Sequence, residues 1–270
     1  MTKHSVAVIG AGRLGELVLA GLLRSGRPVE QVLATARRPE RAAELAERYG
    51  IRPVSNEAAV LEADVLVIGV KPQDAGKLLE DLGPRVPADK LVVSLCAGLP
   101  TSFFAERLPA GLPVVRVMTN TPALVDQAMS VLSGGAHATE EHLATAEAIF
   151  RPIGRTLRVP EYQQDAVTAL SGSGPAYLYL VVEAMIEAGV LLGLPRTVAH
   201  DLAVQTAVGS AVMLRDSGEH PAVLRESVTS PAGTTAAALR ALEAGGVRAA
   251  FSSALEAARD RAREIADTAR

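Results

Sequence analysis

The sequence predicts a doubly wound α/β domain with a mainly parallel sheet over residues 1–159, followed by an all-α dimerisation domain over 160–270. Three observations carry this division. Short β-branched runs alternate with amphipathic segments through the first half. After about residue 160 those runs give way to patterns of Ala, Leu, Glu and Arg, and a glycine fingerprint stands directly after the first run.

The runs at 6–9, 31–34, 64–68, 91–94, 113–117, 129–132 and 156–159 are mostly apolar, as strands covered on both faces require. Between them, 14–23, 39–48, 74–82, 101–108 and 140–150 carry helical periodicity, which makes βαβ units around a buried sheet. Beyond the boundary, 160–171, 175–193, 196–215, 220–228, 234–244 and 247–268 read as helices, punctuated by Gly193-Leu194-Pro195 and Gly245-Gly246. The stretch 177–192 is apolar almost all round. A small helical domain has few interior places for such a helix, so it is expected to meet a second subunit; burial within its own domain is the other reading. Glu183 and Glu187 share one of its faces, which makes a membrane span a poor reading.

Charge is nearly balanced, with 27 Lys and Arg against 30 Asp and Glu, so no basic excess marks a nucleic-acid or anionic-membrane surface. A single cysteine, Cys96, excludes a disulfide framework, and with 5 scattered histidines it builds no structural metal site. His137 and His142 flank acids on an expected surface helix, and His220 precedes Pro221 at a helix start, so solvated or capping roles suit them. The first residues run straight into the 6–9 strand with no signal-peptide pattern, and a cytoplasmic protein is expected.

Gly10-Ala11-Gly12-Arg13-Leu14-Gly15 fits G-x-G-x-x-G between a strand and a helix. Glycines so spaced close a tight turn, let backbone N–H groups approach a pyrophosphate and let helix pack on strand, the signature of a Rossmann-type dinucleotide site. Other loops at the carboxyl ends of the expected strands are 35–38, 69–72, 94–98 and 118–122, the last holding Asn120, and together they are expected to line one crevice. Where an NAD site usually places an acid, this chain has Thr35, Arg37 and Arg38. A hydroxyl and guanidinium groups suit a 2′-phosphate, so NADPH is the expected cofactor, with NADH the alternative and a merely solvated surface the plainer reading of the arginines.

A second anion seat is expected in the helical half. Thr229-Ser230-Pro231-Ala232-Gly233-Thr234-Thr235 offers hydroxyls, glycine and free N–H groups at a helix start, which suits a small carboxylate, although an ordinary N-cap needs only one of these hydroxyls. Ser171-Gly172-Ser173-Gly174-Pro175 allows close backbone approach to a cofactor or a partner domain, or simply a tight connection. The lysines are Lys3, Lys71, Lys77 and Lys90, so the helical half lacks the lysine on which β-hydroxyacid dehydrogenases rely. No tyrosine is followed four places later by lysine, which removes the short-chain dehydrogenase pairing. Without a strong general acid, an imine that accepts hydride in its protonated form is a better substrate than a ketone.

These pieces resemble the pyrroline-5-carboxylate reductase family over nearly the whole chain. The resemblance is carried by Val8-Ile9-Gly10-Ala11-Gly12, Val70-Lys71-Pro72, the 116–122 segment, Ser171 to Tyr177 and Val228 to Thr235. It implies reduction of Δ1-pyrroline-5-carboxylate to L-proline with NAD(P)H, and a homodimer of interlocking helices that often assembles further, for example to a decamer. Carried over, Thr235 would hydrogen-bond the ring nitrogen as the catalytic residue, Ser230, Gly233 and Thr234 would surround the carboxylate, and Val228 would pack on the ring. Asn56, Val70, Lys71, Pro72, Cys96 and Ala97 would line the cofactor. Ala232 departs from the family, which usually has a second glycine there. On the residues alone two rivals stay open: another NADPH-dependent imine or ketone reductase on this scaffold, and a non-catalytic NADPH-binding assembly protein.

Overall fold

The computed structural model describes residues 4–268. Its sheet has eight strands in the order β3-β2-β1-β4-β5-β6-β7-β8. These are β1 (Val6–Ile9), β2 (Val32–Ala34), β3 (Arg52–Pro53), β4 (Val65–Ile68), β5 (Leu91–Ser94), β6 (Val114–Met118), β7 (Ala128–Gly134) and β8 (Gly154–Arg158). All neighbours pair in parallel except β6 with β7. The order reverses direction between β1 and β4, which is where an open α/β sheet leaves a crevice at the carboxyl ends of its strands.

Alternation along each strand divides the core into two layers. Val6, Val8, Val65 and Val67 face one cluster with Val18 and Leu22 of α1 (Arg13–Arg24) and Ile149 and Phe150 of α6 (Glu140–Phe150). Ala7, Ile9, Leu66 and Ile68 face the other, with Val60 of α3 (Asn56–Glu62), Leu79 of α4 (Pro72–Leu82) and Phe104 of α5 (Thr101–Ala105). The helix α2 (Pro39–Tyr49) contributes a single buried residue, Leu45.

Three local features differ from the sequence reading. The edge strand β3 is two exposed residues long and has no apolar pattern to announce it. The seven-residue α3 is too short for periodicity, but Ser55 caps it by accepting the Ala58 N–H at 3.2 Å. The helix expected over 160–171 is a composite: a 3₁₀ turn (Glu161–Gln163), α7 (Gln164–Val167) and a π-helical turn (Thr168–Gly172). Tertiary bonds explain its irregularity. Fully buried Gln164 donates its amide to the Val131 carbonyl at 3.1 Å and the Ser133 hydroxyl at 2.8 Å. Buried Arg116 on β6 lies 3.7 Å from Glu161 and 3.4 Å from Asp165.

By contacts, the chain up to Ser173 together with the stretch from Ala257 forms one compact unit, and Gly174–Glu256 forms the other. The composition change at 160 therefore precedes the edge of the first unit, because the ties of Gln164 and Arg116 hold 161–165 to the sheet. The second unit holds α8 (Gly174–Leu191), α9 (Arg196–Asp216), α10 (Pro221–Ser227), α11 (Thr234–Ala244) and the first part of α12 (Val247–Thr268). The helices α8 and α9 approach so closely that a Cβ on Gly189 would lie 3.1 Å from the Ala199 Cβ. Even so, α8 buries no residue and α9 buries only Ala199 and Ala203. Leu178, Leu180 and Leu191 are 66%, 65% and 88% exposed. By length and composition alone, Glu161–Leu191 is apolar enough to cross a membrane.

Candidate active site

The cofactor-side features all lie in the first unit. Gly10 turns the chain after β1 with φ +78°, and a Cβ there would stand 2.4 Å from Val70 Cγ1. At Gly15 a Cβ would stand 2.8 Å from Val8 Cγ1, so that glycine lets α1 pack on β1. At Gly12 it would meet nothing nearer than 3.9 Å, which leaves backbone open on the side where a ligand approaches. Gly12 is also the N-cap of α1 and has no side-chain cap. First-turn N–H groups lack intrahelical acceptors, and with the helix dipole they suit a phosphate. The turn is braced by β2: Ala11 N–H donates to the Thr35 carbonyl at 2.8 Å and Gly10 N–H to the Thr35 hydroxyl at 3.1 Å.

These residues open onto a cleft of about 920 Å³, which also gathers Arg13, Arg37, Arg38, Asn56, Val70 and Lys71. That volume suits a dinucleotide-sized ligand. Arg13, Arg37, Arg38, Lys71 and Lys77 are exposed around it and outnumber the acids Glu44, Asp74 and Asp81 of the same lining, so the rim carries a cationic excess. Arg38 is the N-cap of α2 and Lys71 the N-cap of α4, and a proline in the first turn of each helix fixes its start. The glycine cradle, the uncapped helix and this rim fit a nicotinamide dinucleotide.

The cleft does not gather every expected residue. Leu14 and Gly15 pack α1 on the sheet, and Pro72 starts α4; none of them lines the cleft. The 94–98 and 118–122 loops also lie outside its lining. Cys96 is 2% exposed; its thiol faces the Val70 carbonyl at 3.4 Å, and burial pushes its pKa up to about 12 against a smaller lowering by Ser94. Ala97 is half-buried, and at neighbouring Gly98 a Cβ would come within 3.1 Å of the Ala262 carbonyl of α12. Asn120 is engaged at both ends of its amide. Its nitrogen donates to the Ser171 carbonyl at 3.1 Å and its oxygen accepts the Met129 N–H at 3.1 Å, which ties the π-helical turn to β7.

Sequence reasoning missed Glu16 and Arg41. Both line the cleft, and Arg41 binds Glu16 in a contact that also takes in Arg48 at 2.9 Å and the Tyr49 hydroxyl at 3.0 Å. Burial raises the Glu16 pKa, but bonds from Arg41 and Tyr49 and the charges of Arg41 and Arg48 outweigh it and hold it below the ordinary carboxylate value. On sequence, these residues look like any polar face of a solvated helix.

In the second unit, the loop before α11 folds on itself. Thr229 donates its hydroxyl to the Arg225 carbonyl at 2.6 Å, and Gly233 N–H donates to the Ser230 carbonyl at 3.0 Å. A Cβ on Gly233 would crowd the Ser230 hydroxyl oxygen and stand 3.1 Å from the Ser230 carbonyl, so a larger residue at this N-cap would have to turn the Ser230 side chain away. No side chain caps α11, and its first residues are Thr234 and Thr235. Their N–H groups and hydroxyls, with Ser230, stand together at an uncapped helix start, chemistry that suits an anion. Val228 is exposed beside it. Ala232 holds φ +56°, a left-handed conformation that favours glycine.

Residues 161–265 match the family model described as pyrroline-5-carboxylate reductase dimerisation, and residues 5–98 match that described as NADP oxidoreductase, coenzyme F420-dependent. The chain is 43% identical to a pyrroline-5-carboxylate reductase of Mycobacterium tuberculosis, with 96% of each chain covered. It is 40% identical to one from Arabidopsis thaliana, covering 98% of this chain and 97% of that one. Among solved structures, a pyrroline-5-carboxylate reductase from Coxiella burnetii superposes with TM-score 0.92 at 33% identity, covering 98% and 99% of the two chains. A Plasmodium falciparum pyrroline carboxylate reductase, solved with NADP bound, gives TM-score 0.88 at 28% identity with the same coverage.

Proposed function

The chain belongs to the pyrroline-5-carboxylate reductase family, and from that premise we propose how its residues divide the work of reducing Δ1-pyrroline-5-carboxylate to L-proline. The nicotinamide cofactor supplies the hydride. The glycine loop and the open N-terminus of α1 hold its pyrophosphate, and Arg37 and Arg38 hold a 2′-phosphate, which favours NADPH over NADH. Asn56, Val70 and Lys71 line the same cleft.

The substrate seat is the loop before α11. Its carboxylate is held by Ser230, Gly233 and Thr234, with the free N–H groups adding the helix dipole. Val228 packs on the ring, and the Thr235 hydroxyl holds the ring nitrogen. The substrate takes hydride at the C=N carbon while its nitrogen carries the proton, so one hydrogen bond that orients this nitrogen is the contribution asked of the protein there. A strong acid is not needed.

The observation that carries this reading is the uncapped, hydroxyl-rich start of α11, a carboxylate seat of the kind the substrate needs. The exposed apolar side chains of α8 and α9 support a homodimer or a larger ring such as a decamer, with a second copy rather than lipid as the partner, since Glu183 and Glu187 interrupt α8. A single cysteine suits a reducing compartment and supports a cytoplasmic enzyme. The test is oxidation of NADPH on adding pyrroline-5-carboxylate, with proline identified as product. No turnover at any cofactor concentration overturns the reading.

A further inference from the structure

The geometry points to Glu16 as a positioning residue that fixes α2, and with it the Arg37-Arg38 corner, on the glycine loop, an inference that rests on the dinucleotide reading of this cleft. Glu16 sits one turn into α1, its N–H donating to the Gly12 carbonyl at 2.9 Å. Its carboxylate receives three donors from α2: Arg41, Arg48 at 2.9 Å and the Tyr49 hydroxyl at 3.0 Å. Arg41 also reaches Glu44 at 3.0 Å and the Ala11 carbonyl at 3.5 Å.

What makes this cluster decisive is how little else anchors α2. Leu45 is its only fully buried residue and Tyr49 packs part-buried on the same core, so hydrophobic packing holds the C-terminal half of the helix, while its N-terminal end next to Arg37 and Arg38 is tied through Arg41. The carboxylate joins it to α1 at three further points. Arg37 and Arg38 immediately precede α2, so their distance from the phosphate seat follows the helix. Arg41 itself is occupied by Glu16, Glu44 and Ala11, and Arg13 belongs to the first turn of α1 beside the glycine loop, so Arg37 and Arg38 are the cleft arginines that stand between β2 and α2 where the 2′-phosphate reading needs them.

Two effects of opposite sign meet at Glu16. Its negative charge lies beside a seat for a polyanion, so simple Coulomb repulsion predicts that removing it tightens NADPH binding. Positioning predicts the reverse. Arg41 and Arg48 already balance Glu16 and Glu44, which shrinks the repulsion, so the loss of three anchoring bonds should win.

The test is the dissociation constant of NADPH and of NADH on the full-length protein by fluorescence titration. Glu16→Ala should weaken NADPH about ten-fold and NADH about three-fold, so that selectivity falls, with Glu16→Gln in between because it still accepts from Tyr49. Adding Arg41→Ala to Glu16→Ala should bring little further loss, as for partners in one bond. Where Glu16→Ala folds poorly, Glu16→Gln alone decides. NADPH binding as in the wild type or tighter, or an equal loss for both cofactors, overturns the inference while the cofactor reading stands. Wild-type NADPH binding by Arg37→Ala/Arg38→Ala rejects the 2′-phosphate corner itself and the inference with it.

Discussion

The Thr35 hydroxyl accepts the Gly10 N–H at 3.1 Å, so the residue that follows β2 also braces the turn that follows β1. Thr35 is 4% exposed, and its carbonyl takes the Ala11 N–H as well. Its position at the end of β2 suggests a cofactor ligand, and it does line the cleft, while its bonds also make it a support for the glycine turn. Thr35→Val keeps the shape and leaves Gly10 without that acceptor, a loss of about 1–3 kcal/mol. We expect kcat/KM to fall about equally with NADPH and NADH. A loss confined to NADPH would return Thr35 to the 2′-phosphate.

Arg37 and Arg38 should carry the cofactor preference. A charge-assisted hydrogen bond to phosphate contributes about 1.5–3 kcal/mol, so NADPH should exceed NADH by about ten-fold or more in kcat/KM. Arg37→Ala and Arg38→Ala should erode that ratio with little change for NADH. Steady-state kinetics with both cofactors checks it, and equal efficiencies in the wild type would count against this assignment.

Ala232 is a residue with a side chain held at φ +56°. Left-handed backbone costs a non-glycine residue about 1–2 kcal/mol, and glycine gives back part of this through a more flexible unfolded chain. Ala232→Gly should therefore stabilise the protein by about 0.5–1 kcal/mol and raise Tm by about 2 °C. Activity should persist. Calorimetry on the two proteins reads the difference, and a lower Tm for the glycine variant would show that the loop carries no strain at this position.

What the sequence discloses follows how each residue is constrained. The strands β1 and β4 are legible because burial on both faces leaves only apolar side chains, and β5 is apolar up to its last residue, Ser94. Gly10 and Gly15 are legible because no other residue fits the turn and the packing. The exposed strand β3 has neither constraint, and 161–172 reads as plain helix because Gln164 and Arg116 act through tertiary bonds that leave no periodic trace. Glu16 and Arg41 are hidden for the same reason. On the substrate side, the hydroxyls of 229–235 are visible, but Gly233 gains its meaning only from the Ser230 oxygen beside it.

The apolar surface of α8 should exist only in an assembly. Leu180, 65% exposed in the single chain, would carry a charge into that interface on substitution by Glu, where unpaired charge is strongly unfavourable. Leu180→Glu should dissociate or unfold the protein, and light scattering of the wild type at micromolar concentration should show no monomer. A clean, active wild-type monomer would remove the need for a partner on this helix.

Cys96 should be inert in the folded protein. With its pKa raised by burial to about 12, about one thiol in ten thousand is ionised at pH 8. Iodoacetamide should label it only after denaturation, and NADPH should not change the native rate. Rapid native labelling that NADPH suppresses would instead open this loop to the cofactor.

Thr235 is where the chemical step should respond. It is the second residue of α11, directly after Gly233 and Thr234, so a carboxylate seated on the free N–H groups brings the adjoining ring nitrogen toward this turn of the helix. A hydroxyl is no strong acid at neutral pH, and its contribution should be orientation and one hydrogen bond to a developing amine, about 1–3 kcal/mol. Thr235→Ala should then lower kcat about ten- to a hundred-fold with nearly unchanged NADPH affinity, while Thr235→Ser keeps much of the rate. Thr234→Ala should act more on the KM for the substrate, because that residue shapes the carboxylate seat. Full kcat in Thr235→Ala with loss in Thr234→Ala would move the assignment by one residue. If neither substitution matters, the ring nitrogen is held by a group outside this loop.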